Sequence, residues 1–279
     1  PENIHILEHI DRLVEIFNAC WPMYAAMPAV LKDAIERSYQ KVGWDLRNSE
    51  SEKGVFPTFF DLLDILPGVI EESHYSKDTQ SDYVGALCTR VKSLTNGIYG
   101  SVLCAEDALS DAEMFDQNVI VDLSRVGSME TKSLLMGILV MKLQEYRMCS
   151  SGMNSRLRHV TVLEEAHNLL RKTSAEQSQE GANLQGKSVE MLANAIAEMR
   201  TYGEGFIIAD QAPGLLDMSV IRNTNTKIIL RLPDEEDRKL VGKSAALKEA
   251  QIDELSKLPL GVAAVYQNEW PEAGLCKIE

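Results

Sequence analysis

Two adjacent carboxylates, Glu164 and Glu165, end the apolar run in "VTVLEEAHNLL". Neighbouring residues at a strand end can project differently, so the pair can divide labour. One carboxylate can hold Mg²⁺, directly or through water, and neutralise phosphate charge. The other can polarise an attacking water. Glu164 is assigned to the metal and Glu165 to the water. A second apolar run, "GFIIADQ", ends in Asp210 and Gln211. An amide at that place can sense a γ-phosphate or orient water without changing charge. Between the two runs, "AEMRTYG" carries Arg200 near a helix end. Its permanent charge suits phosphate contact, including contact with a neighbouring subunit's nucleotide. It also suits the negative end of a helix dipole.

Such groups need a scaffold that gathers them. After about residue 116 short β-rich runs alternate with helical patterns. The runs are 118–124, 159–165, 205–211, 226–232 and 261–267. Helices are expected around 129–147, 187–201, 235–243 and 248–257. Continuous apolar strands alternating with helices predict a parallel sheet covered on both faces. In such sheets function collects at the carboxyl ends of the strands. Three successive runs end in polar groups: Asp122, then Glu164 and Glu165, then Asp210 and Gln211. One polar ending is ordinary; three in succession suggest a shared rim. Arg125, just past Asp122, suits a carboxylate partner or a phosphate.

The first hundred residues read as helices. In "NIHILEHIDRLVEIF" the apolar residues Ile6, Leu7, Ile10, Leu13, Val14 and Phe17 share one helical face. Pro28 starts a second helix that Gly43 stops. A third opens at Thr58 with Asp61 three residues on, and is expected to end at Pro67-Gly68. A fourth, "SDYVGALCTRVKSLT", closes at Asn96-Gly97. The expected division is a helical domain over 1–115 and an α/β core over 116–279.

"VTVLEEAHNLL", "AIAEMRTYGEGFIIADQAPGLL" and "NTNTKIILRL" occur in that order. Together they resemble the HerA–FtsK group of ring-forming motor ATPases, over roughly 116–279. The resemblance implies an α/β, RecA-like P-loop NTPase core with a mostly parallel sheet. The all-helical N-terminal segment is similar to the insertion such proteins carry after their phosphate loop. Glu164 and Glu165 would be the Walker B pair, with Glu164 the Mg ligand. Gln211 would be the γ-phosphate sensor and Arg200 an arginine finger. The cofactors implied are Mg and ATP, the assembly a hexamer, and the partner DNA by analogy alone.

Two motifs are spelling without context. "GANLQGKS", Gly181 to Ser188, fits G-x-x-x-x-G-K-[ST]. A phosphate loop must leave a buried strand and enter a helix. Here the preceding residues, "RKTSAEQSQE", are polar, and the motif follows the carboxylate strand. It is read as a loop leading to the Arg200 helix. No other stretch fits the pattern. The expectation is that the sheet's first strand and the phosphate loop lie upstream of Pro1. The isolated chain should then bind ATP weakly and hydrolyse it negligibly. "HILEH", His5 to His9, spells H-x-x-E-H, but no third ligand stands out, and the two histidines are expected on a solvated face. His167 is expected to hydrogen-bond beside the carboxylate pair rather than to bind metal.

The 279 residues carry 28 basic and 42 acidic side chains, a net charge of −14. That argues against a general nucleic-acid-coating surface but leaves room for a small basic pore or loop within an acidic body. No apolar run is long enough to cross a bilayer. The five scattered cysteines form no C-x-x-C pair and fit buried free thiols in a reducing cytoplasm. Two rival functions share the fold: a secretion- or conjugation-type ATPase that moves protein, and a non-catalytic assembly or regulatory module.

Overall fold

A computed structural model describes residues 4–105, 108–173 and 181–277. They form two compact units. One runs to Ser150 and includes a short piece ending at Gln185; the other takes the rest from Ser151. The change of pattern expected near residue 116 therefore falls inside the first unit.

The first unit is helical: α1 (Ile6–Cys20), α2 (Met27–Lys41), α3 (Phe59–Glu72), α4 (Lys77–Tyr83), α5 (Thr89–Thr95), α6 (Gly97–Leu103), α7 (Asp111–Phe115) and α8 (Met129–Ser150). A small hairpin, β1 (Trp44–Asp45) with β2 (Glu50–Ser51), follows α2. Helix α1 packs on α2 and α8, and α3 packs on α2 and α5. Ile10, Phe17, Met27, Leu31, Leu66 and Leu134 are almost wholly buried between them. The start signals act as expected. Pro28 lies in the first turn of α2, and Thr58 with Asp61 forms a capping box on α3.

Helix α3 does not end at Pro67 but continues to Glu72. A proline inside a helix costs about 3 kcal/mol. Burial of Leu66, Val69 and Ile70 offsets it, since each buried aliphatic side chain contributes about 1.5–3 kcal/mol. Residues 118–123 carry no strand assignment although their sequence is β-like. Ile120 is 95% exposed, and no partner strand lies beside it among the described residues. A strand is a paired object, and this segment has the composition without the ladder.

His9 is not on a solvated face. Its Nδ1 sits 2.9 Å from Oε2 of Glu145, a buried carboxylate on α8 that Arg12 also approaches at 3.4 Å. His5 caps α1, accepting from the Leu7 N–H. Burial pushes the Glu145 carboxyl up, but the hydrogen bonds and charges of His9 and Arg12 outweigh it, and the net shift is down.

The second unit holds β3 (His159–Glu164), most of α9 (Gly181–Glu198), β4 (Glu204–Ala209), α10 (Met218–Asn223), β5 (Thr226–Ile229), α11 (Glu235–Ser244), α12 (Glu249–Glu254), β6 (Val262–Gln267) and β7 (Gly274–Lys277). Strands β3 and β4 pair in parallel, joined through α9. Strands β5, β6 and β7 form a separate antiparallel sheet. The parallel prediction thus holds for one pair, whereas the last strands meander. Ile229, Ala245, Leu255, Leu258 and Ala264 form their core. Helices α8, α9, α11 and α12 fall close to where periodicity placed them, with α9 starting earlier than expected, while the short α10 was not expected.

All five cysteines are free; only Cys20 is buried, Cys88, Cys104 and Cys149 are half-buried, and Cys276 is exposed. The buried-thiol expectation therefore holds for Cys20 alone. No described helix is long and apolar enough to cross a membrane.

Candidate functional site

The parallel register sets Glu164 beside Ala209, so Glu165 and Asp210 leave the sheet side by side. Here β3 stops and the chain turns sharply. Glu165 takes the left-handed conformation, φ 49° and ψ 48°, and a 3₁₀ turn spans Ala166–Asn168. A non-glycine residue held there costs on the order of 1–3 kcal/mol and persists only where surrounding contacts impose it. Those contacts are present. The Asn168 N–H donates to the Glu165 carbonyl at 2.9 Å. The His167 N–H donates to Asp210 Oδ2 at 2.8 Å. Beyond the turn, the two post-strand segments are stitched together. Lys172 N–H donates to Leu215 O and Asp217 N–H to Leu170 O. Ala166, Leu169 and Leu170 are buried beneath them.

The side chains converge above this turn. Gln211 Nε2 donates to Glu165 Oε1 at 2.8 Å. His167 Nδ1 lies 2.9 Å from Asp210 Oδ2 and 3.7 Å from Glu165 Oε2. Asp210 Oδ1 accepts from the Ala212 N–H at 2.9 Å. The Asp210 side chain is 3% exposed and that of Glu165 is 47% exposed. Glu164, the last residue of β3, is exposed, and no ion pair engages it among the described residues. Three carboxylates thus share one rim, two open and one buried.

An anionic substrate could approach this rim only with a cation between. Among the described residues no three His, Cys, Asp or Glu side chains are grouped to hold a metal. The open carboxylates of Glu164 and Glu165 are the donor type that Mg²⁺ takes, since it keeps several waters and uses one or two carboxylates plus substrate phosphates. Glu164, exposed and unengaged, can supply one such oxygen.

Arg200 is elsewhere. It lies in the 3₁₀ turn Met199–Tyr202, after α9 and before β4, and is exposed. That turn abuts the start of β3: Ser155 N–H donates to Thr201 O, and Arg158 N–H to Gly203 O. Arg200 therefore sits at the amino edge of the strands, while Glu165 and Gln211 sit at the carboxyl edge. Six residues of strand separate the edges, about 20 Å at ~3.3 Å per residue. Gly203 makes the approach feasible. Its φ is +81°, and a Cβ there would collide with the Arg156 carbonyl.

Asp122 and Arg125 lie in the first unit, both exposed, outside any strand. Hydrogen bonds from Ser124 hold the Asp122 carboxyl below its ordinary range. Asp122 therefore does not close a paired strand as expected.

"GANLQGKS" is not a loop. Its residues form the first two turns of α9. The described residues ahead of it, up to 173, form no strand that leads into this helix, which a phosphate loop requires. Residues 174–180 of the polar stretch before it lie outside the described residues.

Sequence reasoning placed Glu164, Glu165 and Gln211 at a rim, and the structure sets Glu165 and Gln211 in contact. It noted Asp210 only as a strand ending and did not foresee its contacts with His167. The available signal was the pairing of "EEAH" with "ADQ" at the ends of successive strands.

No family model matches the chain. It is 34% identical over 111 residues to the DNA double-strand break repair helicase HerA of Sulfolobus acidocaldarius, covering 39% of this chain and 20% of that protein. It is 30% identical over 121 residues to a probable helicase of Methanocaldococcus jannaschii, covering 43% and 21%. The chain thus spans about a fifth of the length of these curated relatives. Among solved structures, VirB4 of Thermoanaerobacter pseudethanolicus matches 98% of this chain and 69% of its own, with TM-score 0.68 and 20% identity. The plasmid coupling protein TrwB, bound to a non-hydrolysable GTP analogue, matches 96% and 68%, with TM-score 0.59 and 12% identity. The fold is RecA-like, and the resemblance to the HerA–FtsK motor ATPases is borne out.

Proposed function

We propose that the carboxyl rim of β3 and β4 is the hydrolytic half of an Mg²⁺-dependent ATPase site in a ring-forming motor. The observation that carries this reading is the 2.8 Å contact between Gln211 Nε2 and Glu165 Oε1 at the ends of adjacent parallel strands. HerA helicases among the relatives support it.

In this reading Glu165 is the general base, its carboxylate accepting a proton from the attacking water. Gln211 donates an amide hydrogen to the water or to the γ-phosphate. Glu164 holds Mg²⁺, which would neutralise phosphate charge when bound. Arg200 serves a neighbouring subunit, because about 20 Å of strand separates it from its own rim. A hexamer is the assembly proposed. Residues 1–115 act as the helical insertion-type domain and 116–279 as the ATPase core. With no strand leading into "GANLQGKS" among the described residues, these 279 residues alone bind ATP weakly and turn it over negligibly. The compartment is cytoplasmic.

The track proposed is DNA, by likeness to HerA. The net charge of −14 favours a second reading, a motor acting on protein. DNA-stimulated ATP hydrolysis by the complete gene product separates them: stimulation supports DNA, its absence the protein track. A non-catalytic module predicts no effect of Glu165→Gln on function in the complete gene product; the motor reading predicts its loss.

A further inference from the structure

We infer that Asp210 and His167 are positioning residues, which hold Glu165 in its left-handed turn and so aim its carboxylate at Gln211. For its catalytic meaning this rests on the reading above; the geometry stands apart from it.

Asp210 reaches the turn that carries Glu165 through His167. It follows β4, next to Gln211, and its carboxylate is nearly wholly buried. A buried carboxylate must be satisfied by donors. Asp210 takes three: the His167 N–H at 2.8 Å, His167 Nδ1 at 2.9 Å and the Ala212 N–H at 2.9 Å. Two come from the turn after β3 and one from the turn after β4. A single side chain thus couples both turns.

The contact also fixes the ring. Where the carboxylate is ionised it accepts only, and Nδ1 then carries the hydrogen. Orientation of one functional group by another through an imidazole or carboxylate is a general device. The left-handed Glu165 lies two residues before His167. In this conformation the chain brings the His167 N–H onto Asp210. The turn and the buried carboxylate are therefore linked.

Asp210→Asn tests this. An amide keeps the size, but it can no longer accept with both oxygens. In the 279-residue chain, ¹⁵N-resolved NMR reads the protonated nitrogen of His167. The couplings of the Glu165 α-proton to its amide proton and to the preceding carbonyl carbon together read the sign of φ. The expected result is loss of both the Nδ1–H form and the left-handed coupling in Asp210→Asn. Both signatures unchanged would overturn the inference.

If Asp210→Asn fails to fold, a second pair decides. His167→Ala removes the side-chain donor, whereas His167→Asn places Nδ2 near the former Nδ1. The coupling at Glu165 should change in the first and return in the second; the wild-type value in both contradicts the proposal. In the complete gene product, His167→Ala should lower kcat about 10- to 100-fold with KM little changed, and His167→Asn should recover most of it. If the wild type hydrolyses no ATP, the ATPase reading fails, while the NMR signatures still decide the positioning.

Discussion

Gln211 donates its amide hydrogen to Glu165 Oε1 at 2.8 Å, although 46 positions separate the two residues in the chain. Parallel pairing of β3 with β4 creates that contact, by bringing the residues after Glu164 and Ala209 to the same edge. A base engaged by an amide is partly occupied. A γ-phosphate that recruits the Gln211 amide would free Glu165 for water.

Gln211→Ala removes that donor. Hydrolysis by the complete gene product should fall on the order of 10²-fold, by analogy with loss of one transition-state donor. Nucleotide affinity should stay within a factor of a few. Steady-state kinetics beside equilibrium nucleotide binding checks both. Equal losses in binding and turnover would assign Gln211 to nucleotide binding instead.

Arg200 lies at the amino edge of the strands, not at its own rim. Arg200→Ala should therefore cost about 10³-fold or more in the assembled complete protein. The defect should be shared between subunits. Mixing Arg200→Ala with Glu165→Gln subunits should restore part of the activity, since some sites then combine an intact arginine with an intact glutamate. Mixtures that stay as inactive as each variant alone would remove Arg200 from a role across the interface.

Lys187 carries the spelling of a phosphate-loop lysine but stands exposed on α9. Lys187→Ala should leave nucleotide affinity unchanged in titration calorimetry. A tenfold loss, about 1.4 kcal/mol, would show that the motif grips phosphate.

Glu145 makes the first unit acid-sensitive. Its carboxyl is held below the ordinary value in the folded chain by His9 and Arg12, against the upward push of burial. A lowered folded value means the stabilisation is full above the unfolded value, about pH 4.3. It is lost as pH falls through the folded value. Denaturant unfolding of the wild type should therefore weaken below that pH. Glu145→Gln should flatten this part of the profile. Glu145→Ala should cost about 3–5 kcal/mol at neutral pH, as expected when one member of a buried ion pair is removed. A pH profile identical in the wild type and Glu145→Gln would exclude the buried network as its cause.

The sequence made helices and strand ends legible because their signals are local. Pro28, the Thr58–Asp61 pair and the apolar run before Glu164 each act within a few residues. Pro67 misled because tertiary burial of Val69 and Ile70 outweighs a local cost. Residues 118–123 misled because strand composition cannot reveal whether a partner lies alongside. The same limit hid the antiparallel course of β5 to β7. His9 meets Glu145 across 136 positions, and His167 meets Asp210 across 43. No periodicity reports such pairs; only packing does.

The most direct test of the central claim is ATP hydrolysis by the complete gene product with Mg²⁺, wild type against Glu165→Gln. The account predicts Mg²⁺-dependent turnover in the wild type. It predicts a loss of about 10²–10⁴-fold in the variant, with ATP still bound. Wild-type turnover in Glu165→Gln would contradict the assignment of the β3–β4 rim as the hydrolytic site.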